Sequence, residues 1–311
     1  MIDATGKPIV VIGTRGSALA LWQAEYVMRR LQALHSDHSF VLKRITTGGD
    51  LDQKSALAEI GTRGVFVKEI QSALLSGEID LGIHSLKDLP SELDPRLVLA
   101  AFGPREDPRD ALVSREMVPL SELPPGARVA TGSPRRAVQL KLARPDLVIE
   151  DIRGNVDTRV RKVLRGDFDA VVLAAAGLRR LGLESHIAEY LPLSTMLPAP
   201  GQGIIAVEAR AEEIAVLQIA AAVDDPDAHL AARAERAFVR ALGGGCTIPL
   251  AAHATAEGGT LRIEGLLASP DGAILVRDRV DGDIAFPEFA GEQLADRIVA
   301  SSGPELLDQL H

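Results

Sequence analysis

The stretch IVVIGTRGSALALWQAEYVMRRLQAL, residues 9–34, combines a strand pattern with a helix pattern. Its first four residues are β-branched and apolar, which is typical of a buried strand. From residue 17 to residue 34, apolar residues recur instead at helical spacing. The positions on one face of that helix are Leu21, Ala24, Val27 and Leu31. A strand followed directly by an amphipathic helix is the repeating unit of an α/β protein.

The same alternation continues along the chain to about residue 181. The further predicted strands are 40–45, 81–83, 97–102, 111–114, 129–131, 148–152 and 170–173. The further predicted helices are 67–75, 135–143, 158–164 and 175–181. Because strands and helices alternate, we expect parallel or mixed sheets that are covered on both faces.

Proline and glycine mark the predicted domain boundaries. Gly103-Pro104 and the segment LPAPGQG (197–203) have the composition of hinge-like crossovers between two α/β lobes. After Asp224-Asp225-Pro226, the pattern changes to a helix, three strands joined by hairpin signals, and a last helix. These elements are expected at 228–242, 250–255, 261–267, 274–280 and 287–299. We therefore expect domain 1 over 1–103 and 204–222, domain 2 over 104–203, and an α+β domain 3 over 223–311.

Composition excludes several classes of function. The 311 residues carry a formal net charge of −9, and aromatic residues make up only 3%, so a nucleic-acid partner is disfavoured. No run of about 18 apolar residues predicts a membrane span, and no signal peptide is recognisable. A single cysteine, Cys246, excludes an internal disulfide and suits a reducing compartment. We expect a cytoplasmic protein.

Three junctions between a strand and a helix share glycine, hydroxyl residues and arginine. They are TRGS (14–17), TGSPRR (131–136) and RGNVDTR (153–159). The free backbone N–H groups of a helix N-terminus attract anions, and an adjacent arginine adds a fork for a carboxylate. Ser17 and Ser133 are candidate caps, and Pro134 suits the first helical position. Simple capping with solvated arginines would explain one such junction, but three of them favour anion binding.

Two other segments are candidates for chemistry. HSLKDLP (84–90) places Lys87 beside Asp88 after a strand, and Asp88 is the best candidate for acid–base work or for stabilising a cation. A turn held by the aspartate side chain is the alternative. GGGCTIP (243–249) has three glycines before Cys246, which indicates a loop presenting a thiol as a nucleophile or covalent anchor rather than an inert buried cysteine. No HExxH pattern or cysteine-rich zinc site is present, and no metal is expected.

Taken together, these motifs resemble the porphobilinogen deaminase (hydroxymethylbilane synthase) family. The resemblance runs almost end to end and preserves the family's order of motifs. The segments that carry it are TRGSALALWQ (14–23), GVFVKEI (64–70), HSLKDLP (84–90), EDPRDALVS (106–114), TGSPRRA (131–137), RGNVDTR (153–159), AAGLRRLGL (175–183), PAPGQG (198–203) and GGGCTIP (243–249).

The resemblance implies a fold and a reaction. The fold would be α/β, with two periplasmic-binding-protein-like lobes that have mixed sheets and a small α+β C-terminal domain. The enzyme would condense four porphobilinogen molecules head to tail, release ammonia each time, and hydrolyse off hydroxymethylbilane for tetrapyrrole synthesis, including haem. It would carry a dipyrromethane cofactor through a thioether, act as a monomer, and bind neither nucleic acid nor membranes.

The resemblance also implies roles for individual residues. Cys246 would hold the cofactor and Asp88 would be the catalytic aspartate. Phe66 and Arg63 would belong to an active-site loop, where Arg63 replaces a frequent lysine. Glu59 stands where some members have lysine, so a cationic contact is not expected there. The residues that would bind carboxylates of cofactor and substrate are Arg15, Ser17, Lys87, Thr131, Ser133, Arg135, Arg136, Arg153, Arg159 and Gln202.

Two other functions fit parts of the sequence. An anion-sensing module like a solute-binding protein would need only the two lobes and neither Cys246 nor Lys87-Asp88. A hydrolase with a cysteine nucleophile would need a histidine partner, for which His84 and His253 are candidates.

Overall fold

The computed structural model describes residues 2–46, 67–243, 249–302 and 306. The chain forms two compact units, Met1–Arg105 with Ile204–His229, and Glu106–Gly203 with Leu230–His311. The finer division into three domains stays a prediction.

The strands and helices of the described residues follow the expected alternation. The strands are β1 (Ile9–Thr14), β2 (Ser39–Arg44), β3 (Leu81–Ser85), β4 (Leu97–Phe102), β5 (Asp110–Ser114), β6 (Arg128–Ala130), β7 (Val148–Glu150), β8 (Ala170–Ala174), β9 (Glu189–Tyr190), β10 (Ile205–Arg210), β11 (Leu250–Glu257), β12 (Thr260–Ala268) and β13 (Leu275–Asp283). The α-helices are α1 (Ala18–Leu34), α2 (Lys68–Leu75), α3 (Pro134–Ala143), α4 (Val156–Leu164), α5 (Ala175–Arg180), α6 (Ile214–Ala221), α7 (Pro226–Ala241) and α8 (Pro287–Ser302). Short 3₁₀ turns cover Leu86–Asp88, Leu120–Glu122 and Glu184–His186.

The first unit is built on a five-stranded sheet in the order β2-β1-β3-β10-β4. Strand β1 runs parallel to β2 and β3, whereas β10 is antiparallel to both β3 and β4. The apolar face of α1 covers this sheet, with Val27 and Leu31 packed near Ile12 and Leu81 in one buried cluster. The periodicity that predicted α1 therefore marks the side of the helix that faces the core.

The second unit contains a sheet of the same design in the order β7-β6-β8-β5-β9. Strand β6 is parallel to β7 and β8, and β5 is antiparallel to β8 and β9. In both sheets the antiparallel strand lies next to last in the order. Both sheets are consequently mixed, as expected.

The C-terminal part of the second unit is a three-stranded antiparallel sheet, β11-β12-β13, packed with α7 and α8. Phe238 and Leu294 meet over Gly265, where a Cβ atom would lie 2.8 Å from the Phe238 ring and 2.9 Å from Leu294. A small residue is therefore required at this point of β12. Two mixed α/β sheets and a small α+β part confirm the predicted fold class.

Some elements were not expected from the sequence. The segment 204–222 was assigned only to domain 1, but it contains β10, which is internal to the first sheet, and α6. Strand β9 and the 3₁₀ turns were also unassigned. None of the described helices is long and apolar enough to cross a membrane.

Candidate active site

A polar pocket lies in the first unit, where β1 gives way to α1. Ser17 caps α1 by accepting a hydrogen bond from the backbone N–H of Ala20 at 3.3 Å, as predicted. Arg15 and Ser17 line the pocket together with Ser85 and Asp88. Three of the predicted site residues therefore share one pocket, at the carboxyl ends of β1 and β3.

The segment that carries Asp88 is anchored beside the pocket through Leu86. Strand β3 runs directly into the 3₁₀ turn Leu86–Asp88. The side chain of Leu86 is 2% exposed, and its backbone N–H donates to the carbonyl of Ile204 at 3.0 Å. Because Leu86 is anchored, Asp88 is left exposed at the surface of the turn, with Lys87 half-buried beside it.

Gln23 also lines this pocket, although it was not among the predicted site residues. Its side chain is 2% exposed, and its Nε2 donates to Ser85 Oγ at 2.8 Å. A glutamine beside the buried face of α1 was the available signal, since buried amides need hydrogen-bond partners.

In the second unit, one buried carboxylate gathers three of the predicted residues. Asp110 is fully buried and accepts from Arg135 Nη1 at 2.7 Å, Arg136 Nη2 at 2.7 Å and Gln202 Nε2 at 2.9 Å. Burial raises the pKa of Asp110, but the positive charges of Arg135 and Arg136 outweigh it and hold the pKa well below its usual range. The carboxylate is therefore ionised, and the two arginines already have a partner within the protein.

Two backbone carbonyls complete this cluster. Arg135 Nη1 also donates to the carbonyl of Leu197 at 2.6 Å, and Gln202 Nε2 donates to that of Pro108 at 2.8 Å. Asp110 was not among the predicted site residues. It could not be recognised from the sequence because it begins the strand DALVS, whose residues are all buried. Only the side chains that bind it explain why a charged residue stands there.

Arg159 lies in a different electrostatic setting. Its Nε donates to the carbonyl of Gly154 at 2.7 Å, and the side chain is partly buried. Burial and the neighbouring charge of Arg136 lower the pKa of Arg159 to about 10, although Asp151 acts in the opposite sense. Arg153 adds a further positive charge, and its Nε donates a hydrogen bond to Asp151 Oδ2 at 2.9 Å. An anion placed among these arginines would relieve their mutual repulsion.

The hydroxyl residues of the second junction behave differently from the predicted caps. Pro134 occupies the first position of α3, as predicted, but the Ser133 side chain makes no capping hydrogen bond. Thr131 is buried and its Oγ1 accepts from the N–H of Ser133 at 3.2 Å. Ser133 therefore stands at the N-cap position of α3, as predicted, but its backbone N–H rather than its hydroxyl makes the hydrogen bond found there.

Glycines in the junctions admit close backbone approach. At Gly132 a Cβ atom would lie 2.9 Å from Asp151 Oδ1 and 3.1 Å from the carbonyl of Ile152. Gly154 has a φ of +112°, a conformation that side-chain-bearing residues rarely adopt. The loops that lead into α3 and α4 thus depend on glycine.

Four residues singled out from the sequence belong to segments that the structure does not describe. Cys246, Arg63, Phe66 and Glu59 lie outside the described residues. Their assigned roles stay predictions.

Comparisons with known proteins cover nearly the whole chain. Residues 10–218 match the family model described as porphobilinogen deaminase, dipyromethane cofactor binding domain, and residues 229–300 match its C-terminal domain model. The porphobilinogen deaminase of Syntrophotalea carbinolica is 49% identical over 299 residues, 96% of this chain and 95% of that protein. That of Thiobacillus denitrificans is 46% identical over 301 residues, 97% and 98% of the two chains.

Two solved structures are similar to part of this chain. The methionine-binding protein MetQ is 14% identical with a TM-score of 0.45, covering 73% of this chain and 94% of that one. The Bordetella pertussis BvgS periplasmic VFT2 domain is 18% identical with a TM-score of 0.42, covering 72% and 92%.

The matches to both parts of the chain define a transferase of tetrapyrrole biosynthesis. The chain belongs to the porphobilinogen deaminase family. The resemblance seen in the motifs, the enzyme class and the dipyrromethane cofactor are thereby confirmed.

Proposed function

We infer that the protein condenses four porphobilinogen molecules head to tail, releases ammonia at each addition, and hydrolyses off the linear product hydroxymethylbilane. Each pyrrole unit of this chemistry carries an acetate and a propionate group. A growing product therefore accumulates carboxylates, and the protein must hold them. The observation that carries the proposal is the group of arginines around Arg159.

The arginines fit a dipyrromethane group with its carboxylates. Arg159 is a partly buried cation whose nearest charged neighbours include Arg136 and Arg153, and its pKa is lowered to about 10 by burial and by Arg136. Bound carboxylates would restore the balance of charge, and guanidinium forks match their geometry. Held through a thioether on Cys246, the group would supply the pyrrole to which the first substrate is joined.

Asp110 has a supporting part in this arrangement. It accepts from Nε and Nη2 of Arg136, at 3.1 and 2.7 Å, and thereby fixes the plane of that guanidinium. Nη1 of Arg136 has no partner among the described residues, and we assign it to a substrate or cofactor carboxylate. Arg135 and Gln202 are drawn to the same carboxylate, so all three side chains are oriented before anything binds.

Asp88 is assigned to the reacting centre. Loss of ammonia and attack by the next pyrrole both place positive charge on a pyrrole nitrogen. A carboxylate on the rigid turn Leu86–Asp88 stabilises that charge without having to reorganise. Arg15 and Ser17 line the same pocket and are suited to hold a substrate carboxylate beside it.

Three further assignments belong to the proposal. The protein acts as a monomer in the cytoplasm, its substrate is porphobilinogen, and its fold comprises three domains with the boundaries predicted above. Sedimentation of the mature protein at a mass of one chain would support the first of these.

Intact-mass measurement tests the proposal without relying on activity. The purified protein is expected to be heavier than its sequence by one dipyrromethane, and Cys246→Ser is expected to have the sequence mass. Asp88→Asn serves as the matched control, since it should retain the added mass while ammonia release from porphobilinogen is slowed. An active protein whose mass equals its sequence would contradict the proposal.

A further inference from the structure

A buried pair of ionisable side chains lies behind the pocket of the first unit. His84 on β3 and Glu208 on β10 place Nε2 and Oε2 2.9 Å apart, and their side chains are 4% and 0% exposed. Neither residue was assigned a part in the proposed reaction.

The two strands are built to accommodate this pair. In the antiparallel register of β3 and β10, His84 lies opposite Ala206, and Glu208 lies opposite Gly82. A Cβ atom on Gly82 would come within 3.1 Å of His84 Nε2. The absent side chain at Gly82 therefore provides the space in which the imidazole reaches diagonally to the carboxylate.

The position of one proton follows from the contact. His84 Nε2 and Glu208 Oε2 are shielded from solvent, and neither forms a hydrogen bond of regular geometry among the described residues. Their 2.9 Å approach is the polar contact that each atom makes there. A nitrogen lone pair 2.9 Å from an ionised carboxylate oxygen would be repelled, so beside an ionised Glu208 it is Nε2 that carries the proton. In a neutral ring the lone pair is then on Nδ1.

Glu208 is itself fixed from a third element. Gln71 of α2 donates from Nε2 to Glu208 Oε1 at 2.8 Å. The carboxylate thus ties α2, β3 and β10 together. Because well-packed apolar residues would stabilise such a site equally well, a buried carboxylate–imidazole pair is poorly explained by stability alone.

The pair adjoins the site of the reaction. His84 lines the same pocket as Ser85 and Asp88, and it precedes Asp88 by four residues on the continuous segment of β3 and the 3₁₀ turn. An imidazole at this place is an acceptor for the ammonium or pyrrole N–H groups of a substrate, provided that its proton stays on Nε2.

We propose that Glu208 is a positioning residue: it holds the proton of His84 on Nε2, so that Nδ1 accepts a hydrogen bond from a donor group of the substrate. This proposal rests on the function proposed above for the pocket that contains Asp88. In Glu208→Gln, an amide N–H₂ turned toward His84 would favour the opposite tautomer, and the acceptor would be replaced by a donor.

Kinetics and NMR of the protein with its dipyrromethane group attached test the proposal. In Glu208→Gln and in His84→Gln, kcat for porphobilinogen consumption should fall about 10- to 100-fold, as it does when the partner that orients a metal-bound histidine is removed, with a smaller change in KM. In the parent protein, ¹⁵N-selective spectra should contain an exchange-protected Nε2–H signal from His84. That signal should be lost or displaced in Glu208→Gln.

A matched control is available at the other end of the same strands. Asp80 accepts from the N–H of Val11 at 2.8 Å and pairs with Arg210 at 3.2 Å, remote from the pocket lining. Asp80→Asn also removes one carboxylate charge from the β3–β10 region, and it should lower stability while leaving kcat within about twofold.

Two results would overturn the proposal. One is a Glu208→Gln protein whose kcat changes no more than that of Asp80→Asn. The other is a spectrum of the parent protein that places the His84 proton on Nδ1. This measurement needs no variant, so it tests the proposal even if Glu208→Gln does not fold. Full turnover by Asp88→Asn would instead refute the proposed site of reaction, so the two failures are distinguishable.

Discussion

Replacing Asp110 with asparagine removes one negative charge from a place where two buried guanidinium groups converge. The arginine side chains are 5% and 8% exposed, and the aspartate side chain is inaccessible. An asparagine has one acceptor oxygen and one N–H₂ group, so it cannot accept from Arg135, Arg136 and Gln202 as the carboxylate does. In either orientation of the amide, at least one guanidinium faces another donor.

The expected loss of stability is large for a single isosteric change. Removing one member of a buried ion pair costs about 3–5 kcal/mol, because the remaining charge is left uncompensated. Asp281 provides a control, since its ion pair with Arg262 lies at the surface. The arginine side chain is 59% exposed and the aspartate side chain 48% exposed. Asp281→Asn should cost about 0–1 kcal/mol, as is usual for surface pairs.

Urea unfolding of the mature proteins, followed by circular dichroism, measures both variants. The pKa of Asp110 is lowered in the folded protein, so its contribution is present above its unfolded pKa and lost as the pH falls through the folded value. The difference between parent and Asp110→Asn should therefore be constant from pH 7 to about pH 5 and narrow below about pH 4. A loss under about 1 kcal/mol at pH 7, or a loss equal to that of Asp281→Asn, would refute this account of the cluster.

Three further predictions concern other residues. Asp88→Ala should lower the rate of ammonia release about 100-fold, equivalent to about 2.7 kcal/mol of transition-state stabilisation, and an unchanged rate would exclude Asp88 from the reaction. Arg159→Gln should weaken porphobilinogen use, with KM raised about 10- to 100-fold through loss of a charged hydrogen bond, whereas Arg159→Lys should keep part of the affinity. Gly291→Ala should lower the melting temperature markedly, because the added Cβ would lie 2.2 Å from the carbonyl of Ala234. Gly103→Ala is its control, since its Cβ would meet only Ile205 at 3.7 Å, and equal melting temperatures for the two variants would contradict the packing described.

The sequence predicted elements whose signal is local. Helix α1 was expected over 17–34 and spans Ala18–Leu34, because its apolar face and the capping Ser17 lie within the helix itself. Strand β10 was not expected, since Glu208 interrupts its apolar pattern and its pairing partners are more than one hundred residues away in sequence. Only the pairing with His84 and Gln71 explains a carboxylate in that strand.

The candidate site was predictable in composition but not in its internal bonding. The arginines at positions 135, 136 and 159 look alike in sequence, each near the start of a helix. Two of them share the buried Asp110, whereas burial and repulsion dominate the surroundings of Arg159. These differences come from tertiary neighbours, which no spacing within a motif reveals.

The internal place of β10 has a consequence for how the protein is made. Strands β3 and β4 emerge from the ribosome early, yet each pairs with β10, whose residues follow β4 by roughly 100 positions. Strand β3 itself precedes β10 by roughly 120 residues, so at about 5–20 residues per second its edge waits roughly 6–24 s for its partner. Leu81 and Ile83, buried in the finished sheet, border that open edge during the interval. An unpaired apolar edge is a template for pairing between chains, so nascent copies of this enzyme are most exposed to aggregation while Glu106–Gly203 is being synthesised.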